Sequence, residues 1–223
     1  VSVLLFLAAI ITAFWYLRNE ELEREQASVK RDTEIAQQQI RLRLIENQEQ
    51  LVRIAREIGT RSIDQEDFLG QAASFTRERP EITSLVWIGA NRARRASYSA
   101  TTFQAETGAL VEPAGTQRPA EPESAFDAAR ELRQPVYSRP FSDRNGNAVF
   151  QIHVPLIDRA AFAGSLVAEY SVESLVRYFV PAEVTNRHSV TLVDTRGNTL
   201  ASSVVPMPGL ARRIRVGGTS FVH

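Results

Sequence analysis

The 223-residue chain carries 26 acidic and 26 basic residues, and its Lys and Arg side chains are scattered rather than clustered with aromatics, which argues against nucleic acid as a partner. It has no cysteine, so disulfides, thiolate metal sites and thiol catalysis are excluded. Its length leaves room, after the N-terminal helical sequence, for one domain of ordinary size and part of a second.

Val1 to Leu17 reads VSVLLFLAAIITAFWYL, an uncharged apolar run that ends at Arg18-Asn19-Glu20-Glu21. The run is as long as a short membrane span, and Trp15-Tyr16 stand where an interfacial aromatic belt belongs. A transmembrane helix over residues 1–17, in contact with membrane lipid, is expected. A cleaved signal peptide or a buried core helix fits less well, because no Ala-x-Ala-like site precedes the charges and the helical pattern runs straight on. The flanking charges are of mixed sign and do not set the orientation.

Between Arg18 and Gly59 there is no proline and no glycine, and Glu, Gln, Arg, Leu and Ile dominate, so one long helix is expected over residues 18–59. Leu22, Val29 and Ala36 recur at seven, and Ile40, Leu44, Leu51, Ile54 and Ile58 continue the stripe in a shifted phase. The first half reads as a parallel homodimer seam. From Ile40 onward the stripe reads equally as a seam or as the face of a helix packed on its own domain.

After Gly59, Asp64 caps a helix with Phe68, Leu69, Ala72, Ala73 and Phe75 on one side, closed by Arg79-Pro80. The period then changes to two. Ile82 to Ile88 and Arg94 to Thr102 form a hairpin about Gly89-Ala90-Asn91. Phe103 to Ser124 reads as a long loop, followed by a short helix to about Arg133 with Phe126, Ala129 and Leu132 as its buried face. Three strands are expected next, Val136 to Phe141, Val149 to Ile157 and Ala163 to Ser171, with a tight turn at Asn145-Gly146, and the five strands read as an antiparallel meander. Val172 to Phe179 departs as a helix. Ser189 to Asp194 and Thr199 to Ser203 then repeat the strand-turn-strand pattern of the first hairpin, as a second unit of the same kind or as an extension of the first sheet.

The order of these parts, from LVWIGANRARRASYSA through VYSRPFSDRNGNAVFQIHVPLID and FAGSLVAEYSVESLVRYF to HSVTLVDTRGNTLASS, resembles the double Cache domains, PAS-like periplasmic sensors of bacterial transmembrane receptors. The related CHASE-type sensors are the nearest competing family. The resemblance implies an α+β fold: a transmembrane helix continuing into a long helix, a PAS-like five-stranded antiparallel sheet domain over residues 60–180, and the start of a second, membrane-proximal PAS-like unit over 181–223, within a larger protein. It implies that the long helix covers one face of the sheet and that a small molecule binds on the other under loops. It further implies a sensor region on the periplasmic side of the bacterial inner membrane. The layout is most like dicarboxylate-sensing histidine kinases of two-component systems; chemotaxis receptors and diguanylate cyclases carry similar sensors. The Tyr-Arg-Trp-Tyr pattern of the family's amino-acid-binding version is absent from this chain.

The chain lacks a Gly-rich phosphate loop, His-Glu-x-x-His and Gly-x-Ser-x-Gly, and His153, His188 and His223 lie too far apart for a metal-ligand spacing. Neither catalysis nor a cofactor or metal is expected of this region. Strand alternation puts Gln151 and His153 opposite Phe150, Ile152 and Val154, puts Glu169 with Val167, and puts Arg94 with Tyr98. A pocket for a small carboxylate needs a guanidinium, hydroxyl or amide partners and apolar walls. Arg94, Tyr98, Tyr137, Gln151 and His153, with Trp87 as a wall, are the candidate set. Each also has a structural explanation: arginine on a hairpin is usually solvated and tyrosine on a strand usually packs. The Asp194 to Gly197 and Asn145-Gly146 turns are explained by backbone needs. The competing function is a membrane-tethered scaffold that uses the long helix for coiled-coil partnering.

Overall fold

The computed structural model describes residues 2–100, 120–143 and 145–203, and for residues 2–11, 13, 17, 19, 21–23, 25 and 26 it describes the helix backbone alone, so Leu22 of the expected seam lies outside the described side chains. Helix α1 runs unbroken from Ser2 to Gly59. Among the described residues no helix is long and apolar enough to cross a membrane. The side chains of residues 1–11, on which the expected span depends, lie outside the described residues.

From Ala36 onward the apolar stripe of α1 turns inward. Ala36, Leu44, Leu51, Ile54, Ala55 and Ile58 are buried, so the second half of the stripe packs on the helix's own domain. Ile35, Leu42 and Ile45 face outward and are exposed. Helix α2 (Gln65–Arg77) begins in a capping box, with Asp64 accepting from the amides of Glu66 and Asp67, and buries Phe68, Ala72 and Phe75. Leu69, expected on that face, is exposed.

The main sheet is antiparallel throughout and consists of β1 (Ile82–Gly89), β2 (Arg94–Ser99), β3 (Val136–Tyr137), β4 (Phe141–Ser142), β5 (Ala148–Asp158) and β6 (Ala161–Ser171). Its order is β2-β1-β6-β5-β3, with β4 also on β5, so the strands do not form a simple meander. The segment between β2 and β3 carries helix α3 (Ala120–Leu132) across the sheet, and the central strand is β6, between β1 and β5. The expected single strand from Val136 to Phe141 is two short ones. Pro140 has no amide to donate, and Ser138 replaces the ladder locally, its amide donating to the Gln151 carbonyl at 2.7 Å and its hydroxyl accepting from the Gln151 amide at 2.9 Å. On α3, Ala125, Phe126 and Ala129 are buried, whereas Leu132, expected with them, is exposed at the helix end. The loop expected from Phe103 lies outside the described residues up to 119, and α3 starts four residues earlier than Ser124.

One face of the sheet meets α1 and α2. Leu85, Ile152, Leu166, Ala168 and Tyr170 from the strands join Leu51, Ile54, Phe68 and Phe75 from the helices in one core. Two glycines permit the closest approaches. A Cβ on Gly59 would sit 2.6 Å from the Ile157 carbonyl oxygen, and one on Gly164 (φ +146°) would sit 2.0 Å from that of Ile88.

Helices α4 (Val172–Phe179) and α5 (Ala182–Thr185) lead to a separate two-stranded sheet, β7 (Thr191–Val193) with β8 (Thr199–Ser202). Its construction repeats that of β1–β2. In the first hairpin the register slips between Trp87↔Ala96 and Ile88↔Arg94, and in the second between Leu192↔Ala201 and Val193↔Thr199. The Gly89 amide donates to the Ala93 carbonyl and the Asp194 amide to that of Asn198, and the fourth turn residue has positive φ in both, Arg92 and Gly197. Hydrogen bonds from the Asn198 side chain and amide hold Asp194 below the usual carboxylate range.

The glycine contacts give a stability test. Gly164→Ala is expected to lower unfolding free energy by about 3 kcal/mol, because its Cβ meets backbone that cannot yield. Gly70→Ala, in open space on α2, is expected to raise it by about 0.5–1 kcal/mol. Urea denaturation of the two variants measures both signs.

Candidate functional site

Cross-strand partners share a face of the sheet, so the register sorts the candidate residues directly. Tyr98 pairs with Leu85, Leu85 with Ala168, Ala168 with Ile152, and Ile152 with Tyr137; Trp87 pairs with Ala96 and Leu166. These are rows of the helix-covered face. Trp87 packs edge-on to Phe68 of α2 with centroids 6.0 Å apart, and the Tyr137 hydroxyl donates to the Leu44 carbonyl of α1 at 3.4 Å. Burial raises the Tyr137 phenol pKa far above its ordinary value. Trp87, Tyr98 and Tyr137 therefore lie across the sheet from Gln151 and His153, and the six residues do not line one pocket. Arg94, beside the register slip at the start of edge strand β2, is exposed.

The opposite face carries two rows that converge. Ser99, Ser84, Glu169 and Gln151 form a polar row, and Ser97, Val86, Val167, His153 and Val136 run beside it. Gln151 Nε2 donates to Glu169 Oε2 at 2.9 Å, and the Thr83 hydroxyl donates to Glu169 Oε1 at 3.1 Å. The carboxylate is half-buried and retains lone pairs for a further donor. Glu169, whose face alternation fixes, is not among the sequence candidates.

His153 is 2% exposed, and neither ring nitrogen has a hydrogen-bond partner among the described residues. Phe126 of α3 meets it edge-on at 6.2 Å and also meets Phe162 at 5.7 Å. Helix α3 is held over this face by Arg92. Its guanidinium lies 4.9 Å from the Phe126 centroid, donates to Asp127 Oδ1 at 2.6 Å and pairs with Glu123. Left-handed backbone at Arg92 aims that side chain, and no sequence signal marks a non-glycine residue for the role. The arrangement is a polar strip with one carboxylate, bordered by a neutral imidazole under an aromatic lid. Among the described residues no group of His, Asp and Glu is arranged to hold a metal ion.

No protein-family model matches the chain, and no curated protein matches it. Solved structures do. The ligand-binding domain of the Pseudomonas aeruginosa PAO1 amino acid chemoreceptor PctC, in complex with GABA, is 15% identical with a TM-score of 0.54, over 81% of this chain and 74% of that one. The ligand-binding domain of the Campylobacter jejuni chemoreceptor Tlp3, in complex with L-valine, is 10% identical with a TM-score of 0.56, over 84% and 74%. The extracellular domain mmHK1S-Z2, described as that of a histidine kinase, is 10% identical with a TM-score of 0.52, over 79% and 72%. The likeness is one of fold: this chain has the mixed helix and antiparallel-sheet fold of Cache-like, PAS-like sensor domains.

Burial lowers the His153 pKa from 6.5 to about 4. Between those values the unfolded chain binds the proton and the folded one does not. Stability contributed by the neutral ring is thus complete above about pH 6.5 and declines as pH falls toward 4, by about 3 kcal/mol in all. Urea unfolding across that window is expected to show the slope, and His153→Leu to flatten it. Equal slopes in the two proteins would place the titration elsewhere.

Proposed function

We propose that this chain is the extracytoplasmic sensing region of a membrane-bound bacterial signal-transduction receptor that binds a small molecule on the Glu169–Gln151–His153 face. The observation that carries the reading is a half-buried carboxylate on the sheet face opposite the long helix, in a fold shared with ligand-binding domains of receptors. A half-buried acid with two neutral donors attracts a ligand group that donates hydrogen bonds, such as an amine or hydroxyl, and this favours such a ligand over a simple carboxylate. Gln151 and His153 remain ligand candidates. Trp87, Tyr98 and Tyr137 support the sheet from its other side.

For the output we favour a sensor histidine kinase, with chemotaxis receptor or diguanylate cyclase as the alternatives. The apolar sequence 1–17 and the exposed Phe14, Trp15 and Tyr16 support a membrane span with an interfacial belt. The exposed Ile35, Leu42 and Ile45, one apolar row along α1, support a homodimer of parallel helices. The β7–β8 hairpin supports residues 181–223 as the opening of a second PAS-like unit, after a first unit over 60–180. The scaffold reading shares the exposed helix row but gives no account of the Glu169–Gln151 face.

Thermal unfolding against a panel of L-amino acids, primary amines and small carboxylic acids tests the sensor. A binder at a hundred times its dissociation constant is expected to stabilise the chain by about 2.7 kcal/mol. Glu169→Ala and His153→Ala are expected to lose that shift. Trp87→Ala is expected to lower the starting stability and keep the shift, and retention of the shift in all three variants would refute the face assigned. For the anchor, alkaline carbonate extraction is expected to leave the chain in the membrane pellet and to release a version beginning at Arg18.

A further inference from the structure

Glu81, just before β1, has no exposed surface, and its hydrogen bonds among the described residues fall on Oε1, while Oε2 is buried without a partner. Its Oε1 accepts from Arg43 Nε and Asn47 Nδ2, both at 2.7 Å, and these residues are one turn apart on α1. Arg79 Nε donates to Asn47 Oδ1 at 2.9 Å, and Arg43 Nη2 donates to the Glu78 carbonyl at 3.0 Å. The segment entering β1 is thereby tied to a single turn of α1.

A second path reaches the same turn. The Ser171 amide of β6 donates to the Glu81 carbonyl at 2.9 Å, and its neighbour Tyr170 stacks on Phe150 of β5 with centroids 4.9 Å apart and planes 3° from parallel. Phe150 meets Tyr137 at 6.1 Å, and the Tyr137 hydroxyl reaches the Leu44 carbonyl, between Arg43 and Asn47. On the other face Glu169 and Gln151 are the chain neighbours of Tyr170 and Phe150, and they bond to each other. That pair and the stacked rings beneath α1 are thus joined through adjacent residues of the same two strands.

We propose that the Arg43–Asn47 turn of α1 is the receiving point for events at the Glu169–Gln151 face, with Glu81 as the pin that transmits them. The inference rests on the sensor reading given above. Apolar contacts let a helix slide with little change, whereas hydrogen bonds weaken steeply as distance and angle depart from ideal. A polar pin therefore distinguishes two positions of α1 and lets binding bias one of them.

Hydrogen exchange of α1 residues 40–50 in the full chain tests this, with the panel compound that gives the largest thermal shift as the probe. In the wild type the probe is expected to change exchange there by about threefold or more. In Glu81→Gln, and in Asn47→Leu, it is expected to raise the melting temperature as before while the α1 response falls to the noise. A wild-type α1 response in both variants would overturn the proposal. If no compound shifts the melting temperature, the sensor reading is what fails. The pin is then tested without a probe by a double-mutant cycle of Glu169→Ala with Glu81→Gln in urea. Non-additive effects support the coupling, and strictly additive ones overturn it.

Discussion

The placement of α1 on the sheet depends on the burial of one carboxylate. Leu44, Leu51, Ile54 and Ile58 supply the apolar contact that holds the helix down, but contacts of that kind tolerate sliding and rotation. Glu81 removes the freedom, because its buried Oε1 takes directional hydrogen bonds from Arg43 and Asn47 on a single turn of the helix. Removing a donor from such a pair costs about 3–5 kcal/mol, a large part of the stability of an ordinary domain. Arg43 and Arg79 also lie over the rings of Phe179 and Phe75, so the charged corner is closed by aromatic faces as well as by hydrogen bonds.

With α1 fixed on one side, the two faces of the sheet divide their work. The helix-covered face is filled with large side chains, and its polar groups include the pin and the Tyr98, Tyr137 and Tyr170 hydroxyls. The other is half-buried, carries serines, Gln151 and Glu169, and is shielded at His153 by α3. Because β5 and β6 alternate through their paired middle, Gln151, His153 and Glu169 on the open face are each flanked along the chain by residues packed in the core on the closed one. Chemistry on one side and packing on the other are therefore joined through single peptide units.

Much of this was legible in the sequence for physical reasons. Helices α1, α2 and α4, the two hairpins and the long strands follow from apolar period, Gly and Pro punctuation and the Asp64 cap. The opposition of Gln151 and His153 to Phe150 and Ile152 is a direct consequence of pleating. Strand order was not legible, because periodicity does not say that β1 pairs with β6. That pairing decides which strand residues share a face across the sheet. Without it, Trp87, Tyr98 and Tyr137 were grouped with residues they never meet. Asn47 was readable in hindsight as a polar residue set between Leu44 and Leu51 in an apolar stripe, and Glu81 as an acid abutting a strand. Their meeting is a long-range contact that local pattern does not encode.

The repeated hairpin extends the role of α1 beyond the first sheet. Val190, just before β7, and Leu192 and Ala201 of β7–β8 pack with Val176, Val180 and Val184 against Ala36 and Ile40 of α1. They stand where Leu85, Trp87 and Ala96 stand in β1–β2, so both hairpins turn their apolar side toward helices. His188 Nε2 also lies 3.4 Å from Asp32 Oδ2. One helix thus carries the pinned sheet at Arg43 to Asn47 and the second hairpin about one to three turns earlier in the chain. A displacement of α1 at the pin would act on the hairpin through Asp32, Ala36 and Ile40, which lie on the same continuous helix as Arg43.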